Sequence, residues 1–187
     1  MLVRSYSCVK RLDAGRWFSP RFAGEPVPSL EAALELVWDL GLGANIEIKP
    51  SNGREIETAQ ATLTELSRCW PAAAPAPLIS SFHTECLEIA RRLQPAWPRA
   101  FITLRVPRNW RALLADLDCA SFHVYWKRLS EPQARRIKAA GYALACFTVN
   151  DPALAFRLRG WGVDCMISDD PGAILAALSA PAPAPAR

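Results

Sequence analysis

Histidine is nearly absent from this 187-residue chain: there are two, His83 and His123. The six cysteines (Cys8, Cys69, Cys86, Cys119, Cys146 and Cys165) form no C-x-x-C pair, and no His-x-x-x-His accompanies them. That combination excludes a zinc module. Cys119, Cys146 and Cys165 fall in apolar, strand-like runs and read as small core residues, which fits a reducing cytoplasm. No glycine-rich phosphate loop follows any apolar run, which argues against a nucleotide-binding open sheet. No run is apolar enough for a signal peptide or a membrane span. The net charge of +4 is mild and dispersed, so nucleic acid is not an expected partner.

What is present is a repeat. Short apolar runs beginning near residues 45, 77, 99, 119, 143 and 165 alternate with helical stripes, and their starts are spaced as in βα units. Ser29 suits the N-cap of a helix carrying Leu30, Ala33, Leu34 and Val37 on one face, with Gly41 just past its end. A second stripe, Ile56, Ala59, Leu63 and Leu66, is ended by Pro71. Thr84 is expected to cap the next helix, and Trp110 to Asp116 forms a short one. Ser130 opens another, with Pro132 in its first turn and Gln133 at the capping-box position. Asp151-Pro152 and Asp170-Pro171 open the last two. Consecutive βα units without a hairpin signal imply parallel strands and right-handed crossovers. The fold class is therefore α/β, and a TIM-type (β/α)8 barrel is favoured, with only about six βα units in this chain. Three regions are expected: 1–27, basic and loop-rich with Trp17, Phe18 and Phe22; 28–179, the partial barrel; and 180–187, a disordered Pro/Ala tail.

In a parallel barrel the functional side chains stand at the C-terminal strand ends. The first strand, Asn45-Ile46-Glu47-Ile48-Lys49-Pro50, has the period of two that sends Glu47 and Lys49 to one face and Ile46 and Ile48 to the other. The other ends offer Ser80, Ser81 and His83, Thr103 or Arg105, His123, then Phe147, Thr148 and Asn150, and finally Ser168 and Asp169. Such a set suits an anion together with a hard cation: a carboxylate binds Ca²⁺ or Mg²⁺, and an ammonium neutralises a phosphate oxygen. Each residue also has a plainer use. Glu47 and Lys49 suit an inward ion pair, His83 a loop hydrogen bond, His123 a satisfied core position and Asp151 a helix cap. The residues alone lead as far as an anion-binding barrel.

Several motifs go further. Leu12-Asp13-Ala14-Gly15-Arg16-Trp17-Phe18-Ser19-Pro20 with Phe22-Ala23-Gly24-Glu25, then Pro28-Ser29-Leu30-Glu31, Asn45 to Pro50, and Ile79-Ser80-Ser81-Phe82 occur in order. Ala139-Ala140-Gly141-Tyr142, Phe147-Thr148-Val149-Asn150-Asp151, Trp161-Gly162-Val163-Asp164 and Ile167-Ser168-Asp169 follow. In wording and spacing this series resembles the glycerophosphodiester phosphodiesterase family, of the bacterial cytosolic type, from Leu12 to Leu178. The resemblance implies a (β/α)8 barrel with a small insertion subdomain, of which 1–27 would be the remnant. It also implies hydrolysis of a small-molecule glycerophosphodiester to an alcohol and glycerol 3-phosphate with a divalent cation, Ca²⁺ or Mg²⁺. It makes Glu47 one of the metal carboxylates, Lys49 a phosphate contact, and Phe147 a substrate wall where the family usually has Trp, with Phe82 beside it.

The departures matter as much. The family's His-Arg pair, Glu-x-Asp pair and His-Asp pair have no counterpart here; neither His83 nor His123 is followed by Arg or Asp, and no Glu-x-Asp occurs. The resemblance places Met1 inside the insertion subdomain, so the chain is expected to be N-terminally truncated relative to the family, its catalytic histidines missing and its metal binding impaired. Activity of the chain alone is then not expected. The alternatives are a non-catalytic remnant that binds a phosphorylated ligand or pairs with the missing N-terminal fragment, and, less well matched, a phospholipase-type barrel. Two exposed strand edges are expected to invite self-association.

Overall fold

A computed structural model describes residues 6–179; the expected Pro/Ala tail lies outside the described residues. By contact density these divide into two units. One comprises the described residues up to Ala44 with Glu65–Pro75, the other Asn45–Thr64 with those from Ala76 on.

The first unit holds a single-turn helix α1 (Tyr6–Val9), a 3-10 turn at Pro20–Phe22 and helix α2 (Leu30–Asp39). Its loop is built around Asp13, whose carboxylate accepts from the amides of Gly15 (3.0 Å), Arg16 (2.8 Å) and Gly24 (2.9 Å). These amides hold the Asp13 carboxyl below the usual carboxylate range. Gly15 is required here, because a Cβ would meet the Phe22 carbonyl oxygen at 2.1 Å. Ser29 caps α2 as expected, its hydroxyl accepting from the Ala32 amide.

The second unit contains a six-stranded parallel sheet in sequential order: β1 (Asn45–Glu47), β2 (Leu78–Ser81), β3 (Arg99–Thr103), β4 (Ser121–Tyr125), β5 (Ala143–Phe147) and β6 (Cys165–Met166). The crossover helices are α3 (Glu55–Cys69), which from Glu65 on is counted with the first unit, α4 (Thr84–Leu93), α5 (Trp110–Asp116), α6 (Glu131–Ala139) and α7 (Pro152–Gly160), and α8 (Pro171–Ser179) follows β6. This is the half-barrel arrangement of a TIM-type fold, and β1 and β6 pair on one side only among the described residues.

Side-chain alternation sorts the sheet into two faces. Outward, Phe101, Phe122, Val124, Leu144 and Cys146 join Leu114, Ile137 and Leu158 from the helices in one buried cluster. Phe101 and Trp110 both stack on Phe122, at 6.0 and 6.2 Å between ring centres. Burying each large side chain contributes about 1.5–3 kcal/mol, so this layer dominates the stability of the unit. Inward point Ser121, His123, Ala143, Ala145, Cys165 and Ile167, lining a cavity of about 420 Å³ at the N-terminal ends of the strands.

Local signals set the boundaries. The Ser130–Gln133 capping box and the Asp151 cap on Ala153 open α6 and α7 as expected. Three boundaries differ. Thr84 is the first residue of α4 rather than its cap; His83 takes the cap position, and its amide is satisfied from the strand side by the Ser81 hydroxyl. The fourth strand begins at Ser121, not Cys119, because the Cys119 amide still donates to Leu114 and Asp118 turns with φ 49°. The last strand is two residues long, although the Ile167 amide extends the ladder by donating to Cys146.

Arg99 carries weight that its strand position did not suggest. Its side chain is 3% exposed, and its guanidinium donates to the carbonyls of Gln94, Pro95, Trp97, Leu117 and Asp118 and to the Asp118 carboxylate. It ties the turn before β3 to the turn before β4.

Candidate active site

The C-terminal strand ends carry most of the expected residues. Glu47 ends β1 and Lys49 follows two residues later; both are exposed, while Ile48 between them is buried. The alternation anticipated for this strand is present. Its end is pinned from β2, where the buried Ser81 hydroxyl donates to the Ile48 carbonyl at 2.7 Å and the Ile48 amide donates to Ser80. The backbone that presents Glu47 and Lys49 is therefore fixed even though the two side chains are free to sample solvent.

Phe82 and Phe147 come together. Phe82 lies just past β2, Phe147 is the last residue of β5, and their rings meet edge to face at 5.9 Å. Tyr125 joins them, 5.9 Å from Phe147. Sequence reasoning missed Tyr125, although it shares strand parity with His123 and ends β4. The Trp126 indole donates to the Thr148 carbonyl at 3.0 Å, which fixes the backbone just after Phe147. The result is a run of contacting aromatic rings at the C-terminal ends of β2, β4 and β5.

Asn150, Ser168 and Asp169 also converge, but on one another. The Asn150 amide oxygen accepts from the Ser168 hydroxyl (3.0 Å) and the Asp169 amide (2.9 Å), and its NH₂ donates to the Asp169 carboxylate. These groups hold the loops after β5 and β6 together. Thr103 is similarly engaged with the backbone of Arg105. His83 is half-buried, with Nδ1 4.0 Å from a Glu55 carboxylate oxygen.

Two expected mouth residues lie deeper. Ser80 is fully buried, and His123 is 3% exposed and lines the cavity toward the opposite end. Neither the Ser80 hydroxyl nor His123 Nδ1 has a hydrogen-bond partner. Burial drives the His123 imidazole down to a pKa of about 4, so it is neutral at pH 7. His123 is a core histidine as its apolar neighbours suggested, but not a satisfied one.

Among the described residues no group of three or more His, Cys, Asp or Glu side chains is placed to hold a metal ion. A hard divalent cation takes several oxygen ligands, and Glu47 is a single carboxylate. The residues present do not by themselves fit the cation that the family resemblance implies.

A parallel βα half-barrel with polar and aromatic groups gathered at the C-terminal strand ends has the arrangement of a TIM-type barrel protein. Comparison with known proteins narrows this. Residues 4–173 match the glycerophosphoryl diester phosphodiesterase family, and the chain belongs to it. It is 31% identical over 175 residues to YhdW of Bacillus subtilis (strain 168), covering 89% of this chain and 68% of that protein. It is 28% identical over 184 residues to the glycerophosphodiester phosphodiesterase of the same organism, covering 87% of this chain and 60% of the relative. Among solved structures, an Oleispira antarctica phosphodiesterase in complex with the product sn-glycerol-3-phosphate aligns with a TM-score of 0.89 and 37% identity, over 93% of this chain and 70% of that one.

Proposed function

We propose that this polypeptide carries the substrate-side half of a glycerophosphodiester phosphodiesterase site. Glu47 contributes one carboxylate toward a Ca²⁺ or Mg²⁺ ion, Lys49 contacts the phosphate as a point charge, and Phe82 and Phe147 form the wall for the carbon skeleton. The observation that carries this reading is the mouth itself: Glu47 and Lys49 on a pinned strand end, and the paired Phe82 and Phe147 rings at the ends of β2 and β5. Family membership and the glycerol 3-phosphate bound by the Oleispira antarctica relative support the substrate class.

The reaction needs more than these residues supply. Displacing the alcohol from a phosphodiester calls for a group that takes the proton of the nucleophile and one that protonates the leaving oxygen, each contributing roughly 10²–10⁴-fold. His123 is buried and lines the cavity, and His83 stands beside the Glu55 carboxylate. We therefore propose that the 187-residue polypeptide alone hydrolyses no glycerophosphodiester. The test is release of glycerol 3-phosphate from glycerophosphocholine by the purified chain with Ca²⁺ or Mg²⁺ and with EDTA. Release at the no-protein rate is expected, and EDTA-sensitive turnover would refute it.

That no cluster placed to hold a metal occurs among the described residues also favours a second reading, a non-catalytic half-barrel that binds a phosphorylated ligand through Lys49. Saturable glycerol 3-phosphate binding that is lost in Lys49→Ala, without turnover, would distinguish it. On either reading the one-sided strands β1 and β6 give the isolated chain a route to self-association. The six free cysteines suit a cytoplasmic setting; burial raises Cys119 to about 11 and Cys146 to about 12, which keeps both as thiols.

A further inference from the structure

In the helical layer of the second unit, α5 and α6 border a cleft of about 600 Å³. It is lined by Arg108, Asn109, Trp110, Arg111, Ala112 and Arg136, so three guanidiniums face it and no carboxylate does. It shares no residue with the strand-end set of Glu47, Lys49, Phe82 and Phe147.

These arginines are not spent on the fold. Elsewhere Arg54 pairs with Glu57, Arg68 with Glu31 and Glu65, Arg99 with Asp118, and Arg135 with Glu131. Among the described residues Arg108, Arg111 and Arg136 make no ion pair and no side-chain hydrogen bond. On α6 the contrast falls on adjacent residues: Glu131 neutralises Arg135 one turn back, and Arg136, which lines the cleft, keeps its charge unpaired. Arg136 stands in the last turn of α6, where a cation complements the helix dipole. Arg108 and Arg111 have no such use, since they flank the start of α5, the end that favours negative charge.

The cleft is also held in shape. The Arg111 guanidinium lies over the Trp110 ring at 5.2 Å, and that ring stacks on Phe122 at 6.2 Å and meets Tyr142 at 5.9 Å. Arg111 therefore rests on a platform anchored in the core, which lowers the ordering cost of using it to bind. The turn carrying Arg108 is closed by the Trp110 amide donating to the Pro107 carbonyl at 3.3 Å. Asn109 holds the cap position of α5, but its side chain makes no cap hydrogen bond and is open to a ligand.

This lining selects by charge, because the Trp110 ring is already engaged. A guanidinium grips a phosphoryl group with a planar fork of N–H donors. One phosphoryl group carries roughly −1.5 to −2 charge near pH 7, so three guanidiniums balance two such groups. The volume falls in the range of roughly 300–1,000 Å³ typical of small-molecule sites. A cleft confined to two neighbouring helices, on a chain of net charge +4, suits a compact polyanion better than a nucleic-acid strand.

We infer that this cleft binds a small molecule carrying two linked phosphoryl groups. Arg108, Arg111 and Arg136 grip the phosphoryl oxygens, and the Asn109 side-chain NH₂ donates beside them. The site uses neither Glu47 nor Lys49 and stands apart from the phosphodiesterase reading.

Inorganic pyrophosphate is the probe, titrated into the full chain by calorimetry at low and at physiological salt, with orthophosphate and sulfate for comparison. Saturable binding that weakens with salt is expected. Orthophosphate should bind about tenfold or more weakly, because it engages fewer guanidiniums. Arg111→Gln and Arg136→Gln should each weaken pyrophosphate about tenfold, and the triple variant Arg108→Gln/Arg111→Gln/Arg136→Gln should abolish binding. Arg135→Gln, beside Arg136 but paired with Glu131, should leave it unchanged. All four arginines are exposed, and matching urea midpoints confirm that the variants fold. Pyrophosphate bound no more tightly than sulfate overturns the inference, as do equal losses in Arg135→Gln and Arg136→Gln. Binding lost in Lys49→Ala but kept in the triple variant places the anion at the strand ends and also overturns it. Cosedimentation with phosphatidylglycerol vesicles, without binding of free pyrophosphate, makes a lipid surface the occupant and overturns it as well.

Discussion

Acidification from pH 7 to pH 5 is expected to destabilise the chain through His123 before any carboxylate responds. The folded-state pKa of this imidazole is about 4 against an ordinary value of 6.5. A group whose folded pKa is depressed binds fewer protons in the native state than in the unfolded one, so stability rises with pH between the two values. The contribution is fully present above pH 6.5 and is lost as pH falls toward 4. Integrating the linkage between pH 7 and pH 5 gives a loss of about 2 kcal/mol. Few carboxylates with pKa values near 4 take up protons in that interval, so the window reports on histidine, and the comparison with His123→Leu separates His123 from His83. The assay is urea unfolding at fixed protein concentration at pH 7, 6 and 5, for the wild type and His123→Leu. Leucine nearly keeps the volume and removes both the titration and the orphaned Nδ1. The wild type should lose about 2 kcal/mol, while the variant should stay nearly level and match or exceed wild-type stability at pH 7. Equal slopes for the two proteins, or a wild-type loss below about 0.5 kcal/mol, would refute the buried neutral imidazole.

Three other outcomes follow from the packing. Arg99→Leu should destabilise the chain by about 3–5 kcal/mol in the same assay, because it strips the partner from five carbonyls and the Asp118 carboxylate around a nearly buried guanidinium. Ser81→Ala should cost about 1–2 kcal/mol and speed amide exchange at Ile48, since the hydroxyl bridges the Ile48 carbonyl and the His83 amide. Sedimentation velocity of the chain alone should show mass rising with concentration as the β1 and β6 edges pair, and a single concentration-independent monomer would contradict that.

The repeat of βα units was legible because its signals are local. Ser29, the Ser130–Gln133 box and Asp151-Pro152 each act within one helical turn, and the structure uses all three. The alternation of Asn45 to Lys49 was legible for the same reason, since side-chain period follows directly from strand geometry. Arg99 was not legible. Its acceptors are spread from Gln94 to Asp118, and only the folded turns before β3 and β4 bring them to one guanidinium. The mouth was partly legible. Residues at strand ends could be collected from the repeat, but their pairing could not, so Asn150, Ser168 and Asp169 read as site candidates when they satisfy one another. Tyr125 was missed because its contact with Phe147 crosses from β4 to β5. That His123 belongs to the interior followed from its apolar neighbours. Its lack of a partner depends on which groups the fold brings near Nδ1, which no local pattern reports.

The most direct test of the half-site is the ratio of metal-dependent glycerophosphocholine hydrolysis by this chain, fused to the part of the Oleispira antarctica relative that it does not match, with Glu47 intact to that of the same fusion carrying Glu47→Gln. Glutamine preserves the shape of the side chain on the pinned end of β1 and removes its charge. A ratio of about 10² or more, with both proteins equally folded, is the predicted result. Equal rates would contradict the assignment of this strand end to the chemistry.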